Sequence, residues 1–390
     1  MNNHSTVLPR LSWAAVWARR LERHALSAPL QDARPADVVR TICGAHAQVL
    51  SAAELSIGLR LKGCTRTDVR EALWHDHSLV KTFGPRGTVH LLPMDDLPLW
   101  TSALSAIPSA ASPLPQDVQL TPAQTEMIVA AIAAALADAE LTIDELTEAI
   151  IVACGAWAGD LAMPAFGGMW PRWRQAIGIA ANRGVLCFGA NRGRNVTYTN
   201  PRRWLPGFPP GDAQTALAEL VKGYLQSYGP ATPQQLAQWL AAPQRWTIEL
   251  FASLSTELQQ VDVEGAHAWV VAEDILMPSE QPRGVRLLPY FDAYVVGCHP
   301  RELLFPGHAA TRALAGGQAG NFPVLLIDGI VGGVWHQRRA GRKLAITVEP
   351  MERLTTAQRR ELDDQVERVG AILEGMPEVS IGAVTVGAHA

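Results

Sequence analysis

His46 and Gln48 stand one residue apart in Gly44-Ala45-His46-Ala47-Gln48, two long polar side chains among small neighbours. An imidazole and a carboxamide aimed at one point can hold and polarise a single water, the imidazole taking its proton near neutral pH. Whether they share a face depends on the backbone. In a helix, residues two apart point roughly 200° from each other, whereas in an extended segment both point the same way. Gly44 offers a break that ends the preceding helix and starts an extended run, with small Ala47 turned inward. The competing reading is a packed core histidine beside a glutamine that caps a helix end.

The elements that must position this pair follow from apolar spacing. Helices are expected near 35–43, 51–62 and 66–75, then strands at 79–83 and 88–92 that turn through Gly84-Pro85-Arg86-Gly87. The same order recurs twice. Helices near 122–138, 143–153 and 170–182 precede strands at 185–188 and 196–199. Helices near 213–227, 233–241 and 243–254 precede strands at 258–263 and 268–271. Thr142 and Glu145 form a capping box, and Pro233 suits a helix start.

Helix-turn-helix followed by a two-stranded wing is the winged-helix plan. The expected fold class is therefore α+β, about three tandem winged-helix domains with a β-rich C-terminal region. That region holds a strand-like run at 285–296, a hairpin of 324–327 and 331–337 through Asp328-Gly329, and a strand at 344–348. A charged helix at 356–373 and a last strand at 379–386 follow. The division along the chain is 1–117, 118–211, 212–284 and 285–390. An N-terminal helix at 13–26 opens the first part. A bridging helix at 95–106 and a Pro/Ser/Ala-rich linker at 108–117 close it, and a proline-rich stretch at 201–211 closes the second.

Composition narrows the function classes. The chain has 390 residues, 48% apolar and 18% charged, as in an ordinary globular protein. No apolar run reaches membrane-spanning length and the arginine-interrupted N-terminal helix is no signal peptide, so the cytoplasm is expected. Five widely spaced cysteines without a Cys-x-x-Cys pair indicate neither a disulfide framework nor a zinc site. No metal site, phosphate loop or dinucleotide fingerprint is found, and no cofactor is expected.

The formal net charge of −4 argues against a uniformly basic nucleic-acid binder, so local cation clusters matter more. One is the hairpin tip carrying Arg338, Arg339, Arg342 and Lys343, where phosphates are the natural counter-charge; the alternative is a solvated turn. On the first wing, Thr88 and His90 share one strand face, flanked by Lys81 and Arg86, a polar, partly basic surface suited to DNA. The alternative there is an ordinary half-exposed wing. Arg192, Arg194, Arg202 and Arg203 extend the basic line. Asp292, a carboxylate within an apolar run, reads as a structural hydrogen-bonding group.

The strings Gly44-Ala45-His46-Ala47-Gln48, Ser51-Ala52-Ala53-Glu54, Ser78-Leu79-Val80-Lys81-Thr82 and Arg86-Gly87-Thr88-Val89-His90-Leu91-Leu92-Pro93 together resemble the AlkZ-like (YcaQ-type) winged-helix DNA glycosylases. Leu288-Pro289-Tyr290-Phe291-Asp292 and Gly333-Val334-Trp335 extend the resemblance. It implies three winged-helix domains around a concave DNA-binding channel and a monofunctional glycosylase acting on N7-alkylated guanine in duplex DNA. Bulky adducts and interstrand crosslinks are included for some members. It also implies base-excision repair or self-resistance to an alkylating metabolite, by a monomer associated with the nucleoid.

The family's catalytic signature is Gln-apolar-Gln or Gln-apolar-Asp, so His46 and Gln48 fall on it with histidine in first place. Cys298-His299-Pro300-Arg301 departs from an acidic residue before the arginine. Two competing classes remain: a non-catalytic winged-helix regulator, which has no need of His46-x-Gln48, and a protein-interaction scaffold.

Overall fold

The computed structural model describes residues 8–108, 112–165, 168–208 and 211–389; residues 109–111 and 209–210 of the expected linkers lie outside them. The chain forms two compact units. One comprises Met1–Arg70, Val221–Trp239 and Gln244–Ala390, the other Glu71–Leu220 and Leu240–Pro243.

Order along the chain follows the expected helix–strand alternation. Helices Pro35–Thr41, Leu50–Gly58 and Arg66–Trp74 precede the antiparallel strands Leu79–Phe83 and Val89–Pro93. Helices Pro122–Ala135 and Ile143–Cys154 start at Thr121 and Thr142, each with a complete capping box. Strands Cys187–Phe188 and Thr197–Thr199 pair after them, and Leu141–Thr142 joins the same sheet. Ile132, Leu146, Ile150, Trp173 and Leu186 fill the core beneath.

Helices Ala213–Tyr228, Pro233–Leu240 and Gln244–Ser253 precede the hairpin Leu258–Val263 with Ala266–Val271. Its tip residues Glu264 and Gly265 both take positive φ, as a tight two-residue turn requires. Arg10–Leu11 adds a parallel strand to this hairpin, whose Val261, Val263 and Val270 cluster with Val16 of the helix that follows.

The C-terminal region is a five-stranded sheet in which Val285–Leu288, Val324–Ile327, Ile330–Ala340, Lys343–Pro350 and Met376–Ile381 are neighbours in that order. Asp328 and Gly329, both at positive φ, make the expected turn. Helix Thr356–Ile372 carries the chain from the fourth strand to the fifth, which runs parallel to it.

Three expectations are corrected. The run 285–296 is not one strand: proline at 289 lacks the ladder N–H, and Asp292 caps the short helix Ala293–Gly297. Residues 170–182 are not one helix, because an exposed hairpin (Leu161–Ala165 with Gly168–Pro171) runs into a 3₁₀ turn and then helix Ile177–Asn182. The last strand ends at Ile381, several residues earlier than expected.

The N-terminal helix Trp13–Arg23 buries two of its arginines, Arg19 and Arg20. Arg19 donates to Asp274 at 2.7 Å. Arg20, 1% exposed, donates to the carbonyls of Tyr228 and Pro230, each at 2.9 Å, and to that of His299. It also lies over the Trp17 ring. Beyond the helix, His24 sits fully buried, its ring edge-on to Tyr228 and Tyr294. Burial, with the nearby Arg60 charge, lowers its pKa to about 3, and burial beside Arg301 does the same to His299.

Both histidines are neutral when folded and titrate near the ordinary 6.5 when unfolded. Their contribution to stability is therefore full above 6.5 and is lost as pH falls from 6.5 toward 3. His24→Phe, which keeps an aromatic ring, should flatten the fall of the urea midpoint over that window. An unchanged slope in the variant would contradict this.

Candidate active site

Helix Pro35–Thr41 ends by the donors of two consecutive residues turning back on it. Cys43 N–H donates to the Arg40 carbonyl at 3.1 Å and Gly44 N–H to the Val39 carbonyl at 2.9 Å. This is the Schellman pattern, with Cys43 (φ 55) and Gly44 (φ 96) in left-handed conformations. Two hydroxyls hold the end in place: Ser227 Oγ donates to the Thr41 carbonyl and Tyr228 Oη to that of Ile42, both at 2.8 Å. Tyr228 is itself gripped by Arg20 through its carbonyl.

From this stop the chain runs extended, with a strand at Ala45–His46. Ala45 and Ala47 are buried, His46 is half-buried and Gln48 exposed. Burial alternates with a period of two over these four residues, as in extended chain.

The His46 ring stacks on Phe291, centroids 4.6 Å apart and planes 26° apart. Phe291 has φ 54, an outlier for an aromatic residue whose strain is of order 1–3 kcal/mol. Its neighbours hold it there. Phe291 N–H donates to the Gly320 carbonyl at 2.9 Å, and a Cβ on Gly320 would stand 3.1 Å from the Phe291 ring and 2.9 Å from Val296.

Next to it, Asp292 accepts both Arg60 terminal nitrogens at 2.8 and 2.7 Å, Ser56 Oγ at 2.7 Å and Tyr294 N–H at 3.0 Å. Neither side chain of the ion pair has any exposure. Burial opposes charge on Asp292, but the Arg60 guanidinium and these hydrogen bonds outweigh it and hold the carboxyl below its usual range. Ser56 and Arg60 belong to helix Leu50–Gly58 and its immediate end, the element that follows the motif. The same helix sends buried Glu54 to Arg70 at 2.6 Å. One helix thus fixes the motif directly and, through Asp292, the ring on which His46 rests.

The structural role read for Asp292 holds. Sequence reasoning missed Arg60 and Phe291. The signal for the latter was present: a proline, then an aspartate at a helix start, breaks the strand before Phe291.

The cations expected at DNA are placed unevenly. His90, 3% exposed, packs over Gly84, and Thr88 carries both turn contacts: its carbonyl accepts the His90 ring Nδ1 at 2.9 Å and its Oγ1 donates to Pro85. These two lock the turn, and the half-exposed polar face expected at His90 is corrected: Leu91 and Leu92 beside it are both buried, so the strand does not alternate. Lys81 lies over the Phe188 ring at 4.8 Å, and burial lowers its pKa. Arg86 sits half-buried at φ 61 on the turn.

At the C-terminal hairpin tip, Arg338, Arg342 and Lys343 are exposed, Lys343 facing Glu378 at 3.3 Å. Arg339, exposed as well, donates to the carbonyls of Leu373 and Glu374, closing the end of helix Thr356–Ile372.

The family profile "DNA glycosylase AlkZ-like" matches residues 39–372, which include the whole motif and its supporting helix. The chain belongs to this family: it is a monofunctional DNA glycosylase, its partner is DNA, and the regulator and scaffold readings fall away. The "Interstrand DNA cross-link repair glycosylase" of Streptomyces sahachiroi is 33% identical over 343 residues, covering 84% of this chain and 88% of that relative. The solved structure of Streptomyces sahachiroi DNA glycosylase AlkZ superposes with a TM-score of 0.81 at 30% identity, covering 96% of this chain and 100% of that one. The mixed α+β fold is shared with it. Among the described residues, no helix is long and apolar enough to cross a membrane.

Asp292→Ala strands Arg60 as a buried unpaired charge and should lower unfolding stability by ~3–5 kcal/mol. The double change Arg60→Met with Asp292→Leu should recover much of that loss. Urea unfolding of the three variants checks it; equal stability of Asp292→Ala and the parent would contradict the assigned role.

Proposed function

We propose that the chain hydrolyses the N-glycosidic bond of N7-alkylated guanine in duplex DNA, with His46 and Gln48 acting on one water. The observation that carries this reading is the alternation over 45–48, in which buried Ala45 and Ala47 take turns with half-buried His46 and exposed Gln48; it supports both polar side chains leaving on one side. N7 alkylation makes the purine a cationic leaving group that needs no protonation. What remains is to place a nucleophile against an oxocarbenium-like sugar. His46 accepts the water's proton and Gln48 orients the water by its amide. Stacking on Phe291 restricts the imidazole to a narrow range of planes.

The relative whose name specifies interstrand cross-link repair supports extending the substrate to crosslinks and bulky adducts. Base-excision repair or self-resistance, acting on the nucleoid as a monomer, belongs to the same reading. The thrice-repeated helix–strand order supports three winged-helix units spread over the divisions 1–117, 118–211 and 212–284. The concave DNA channel implied by the resemblance is part of this proposal. Phosphate contacts come from Arg338, Arg342 and Lys343 at the hairpin tip, with Lys81 and Arg86 on the first wing; Arg339, Thr88 and His90 shape these elements rather than touch DNA.

Incubation with duplex DNA carrying N7-methylguanine should release the free base, and His46→Ala should slow release by about 10²–10⁴-fold without a change in melting. Release at the parent rate by His46→Ala would place the chemistry elsewhere. Replacing Arg338 and Arg342 together by alanine should weaken binding to undamaged duplex and reduce the slope of log affinity against log salt by about one per lost phosphate contact. An unchanged slope would remove the hairpin tip from the interface.

A further inference from the structure

The segment 383–389 lies beyond the span matched by the family profile, yet it returns to the candidate active site. It leaves the sheet where Gly382 N–H donates to the Val348 carbonyl at 2.9 Å. A charged clamp then seizes one residue from both sides. Val384 N–H donates to Glu349 at 2.6 Å and its carbonyl accepts from Arg312 at 2.8 Å. Arg312 and Glu349 are paired through two bonds of 2.8 Å, and the Val384 side chain is buried. Five residues on, His389 N–H donates to the Asn321 carbonyl at 2.9 Å, next to the Gly320 carbonyl that receives Phe291. The two rings therefore hang from adjacent carbonyls of one segment. The His389 ring stands edge-on to Tyr290, centroids 5.4 Å apart at 76°, and 5.4 Å from Phe291 at 51°.

We propose that His389 is a positioning residue of this active site, its ring seated against Tyr290 and Phe291 so that Phe291 keeps the His46 imidazole in its working plane. The chain of contact is His389 to Phe291 to His46, each link an aromatic pair. Phe291 needs such support because its backbone is strained and its ring is only partly buried. The remote clamp at Val384 gives the segment a fixed path, and a proton acceptor displaced by even an ångström loses much of its effect. This inference rests on the reading of His46 as the proton acceptor.

Two readouts on the full chain separate the inference from that reading. The first is single-turnover release of N7-methylguanine from duplex DNA; the second is the ¹H–¹³C resonances of the His46 ring without DNA. His389→Ala should excise roughly 3–10-fold more slowly, the range an aromatic pair corresponds to, with DNA affinity unchanged. It should also shift the His46 resonances. His389→Phe should restore both, and His389→Leu, which keeps bulk without an aromatic ring, should not.

Parent-like excision by His389→Ala would overturn the inference. So would slowed excision with unmoved His46 resonances or without rescue by phenylalanine. If the parent chain releases no base at all, the proposed function fails. The resonances then decide alone: moved in His389→Ala and returned in His389→Phe, the positioning role stands; unmoved, it falls.

Discussion

A buried ion pair between Arg60 and Asp292 organises the unit that carries the motif. Neither side chain reaches solvent, and the carboxylate has four hydrogen bonds from Arg60, Ser56 and the Tyr294 amide. A pair this dry is a poor source of net stability, because desolvation of both ions offsets most of their attraction. Its value lies in specification. It ties the end of the helix just after His46-x-Gln48 to the loop at 289–292, whose Phe291 ring stacks on the His46 imidazole. The same loop keeps Phe291 in a left-handed backbone that few other surroundings would sustain.

A second constraint acts from the opposite side of the motif. Arg20 has no carboxylate partner among the described residues and is satisfied by three backbone carbonyls at 228, 230 and 299. It fixes Tyr228, whose hydroxyl, with that of Ser227, takes the last carbonyls of helix Pro35–Thr41. The helix cannot lengthen past Ile42, so two left-handed residues must follow and the chain must emerge extended. That change of period, from helical to two, leaves the alanines buried and the polar pair His46 and Gln48 less so.

How much of this was legible in the sequence depended on whether its cause was local. Gly44 before a small-polar-small-polar string announced the extended segment, and the capping boxes at Thr121 and Thr142 and the Asp328-Gly329 turn acted through neighbouring residues alone. Arg60 stands 232 residues from Asp292, so nothing near either residue names the other. Arg20 sits in a helix whose charges look solvated until the carbonyls of distant loops are in place. His90 belongs to a strand where two consecutive leucines are buried, which cancels the alternation that gave it an exposed face. Arg339 lies in a cluster that reads as phosphate-binding, but a helix end comes within its reach. His389 gave no signal, since its role depends on where the segment after the last strand folds back.

The central claim, that His46 and Gln48 serve one water, is tested most directly by a double-mutant cycle on the rate of N7-methylguanine release. Two groups acting on the same water are coupled, so His46→Ala with Gln48→Ala should lose clearly less than the product of the two single losses. Losses that multiply in full would mean two independent roles, and single variants that both excise at the parent rate would contradict the assignment of this segment altogether.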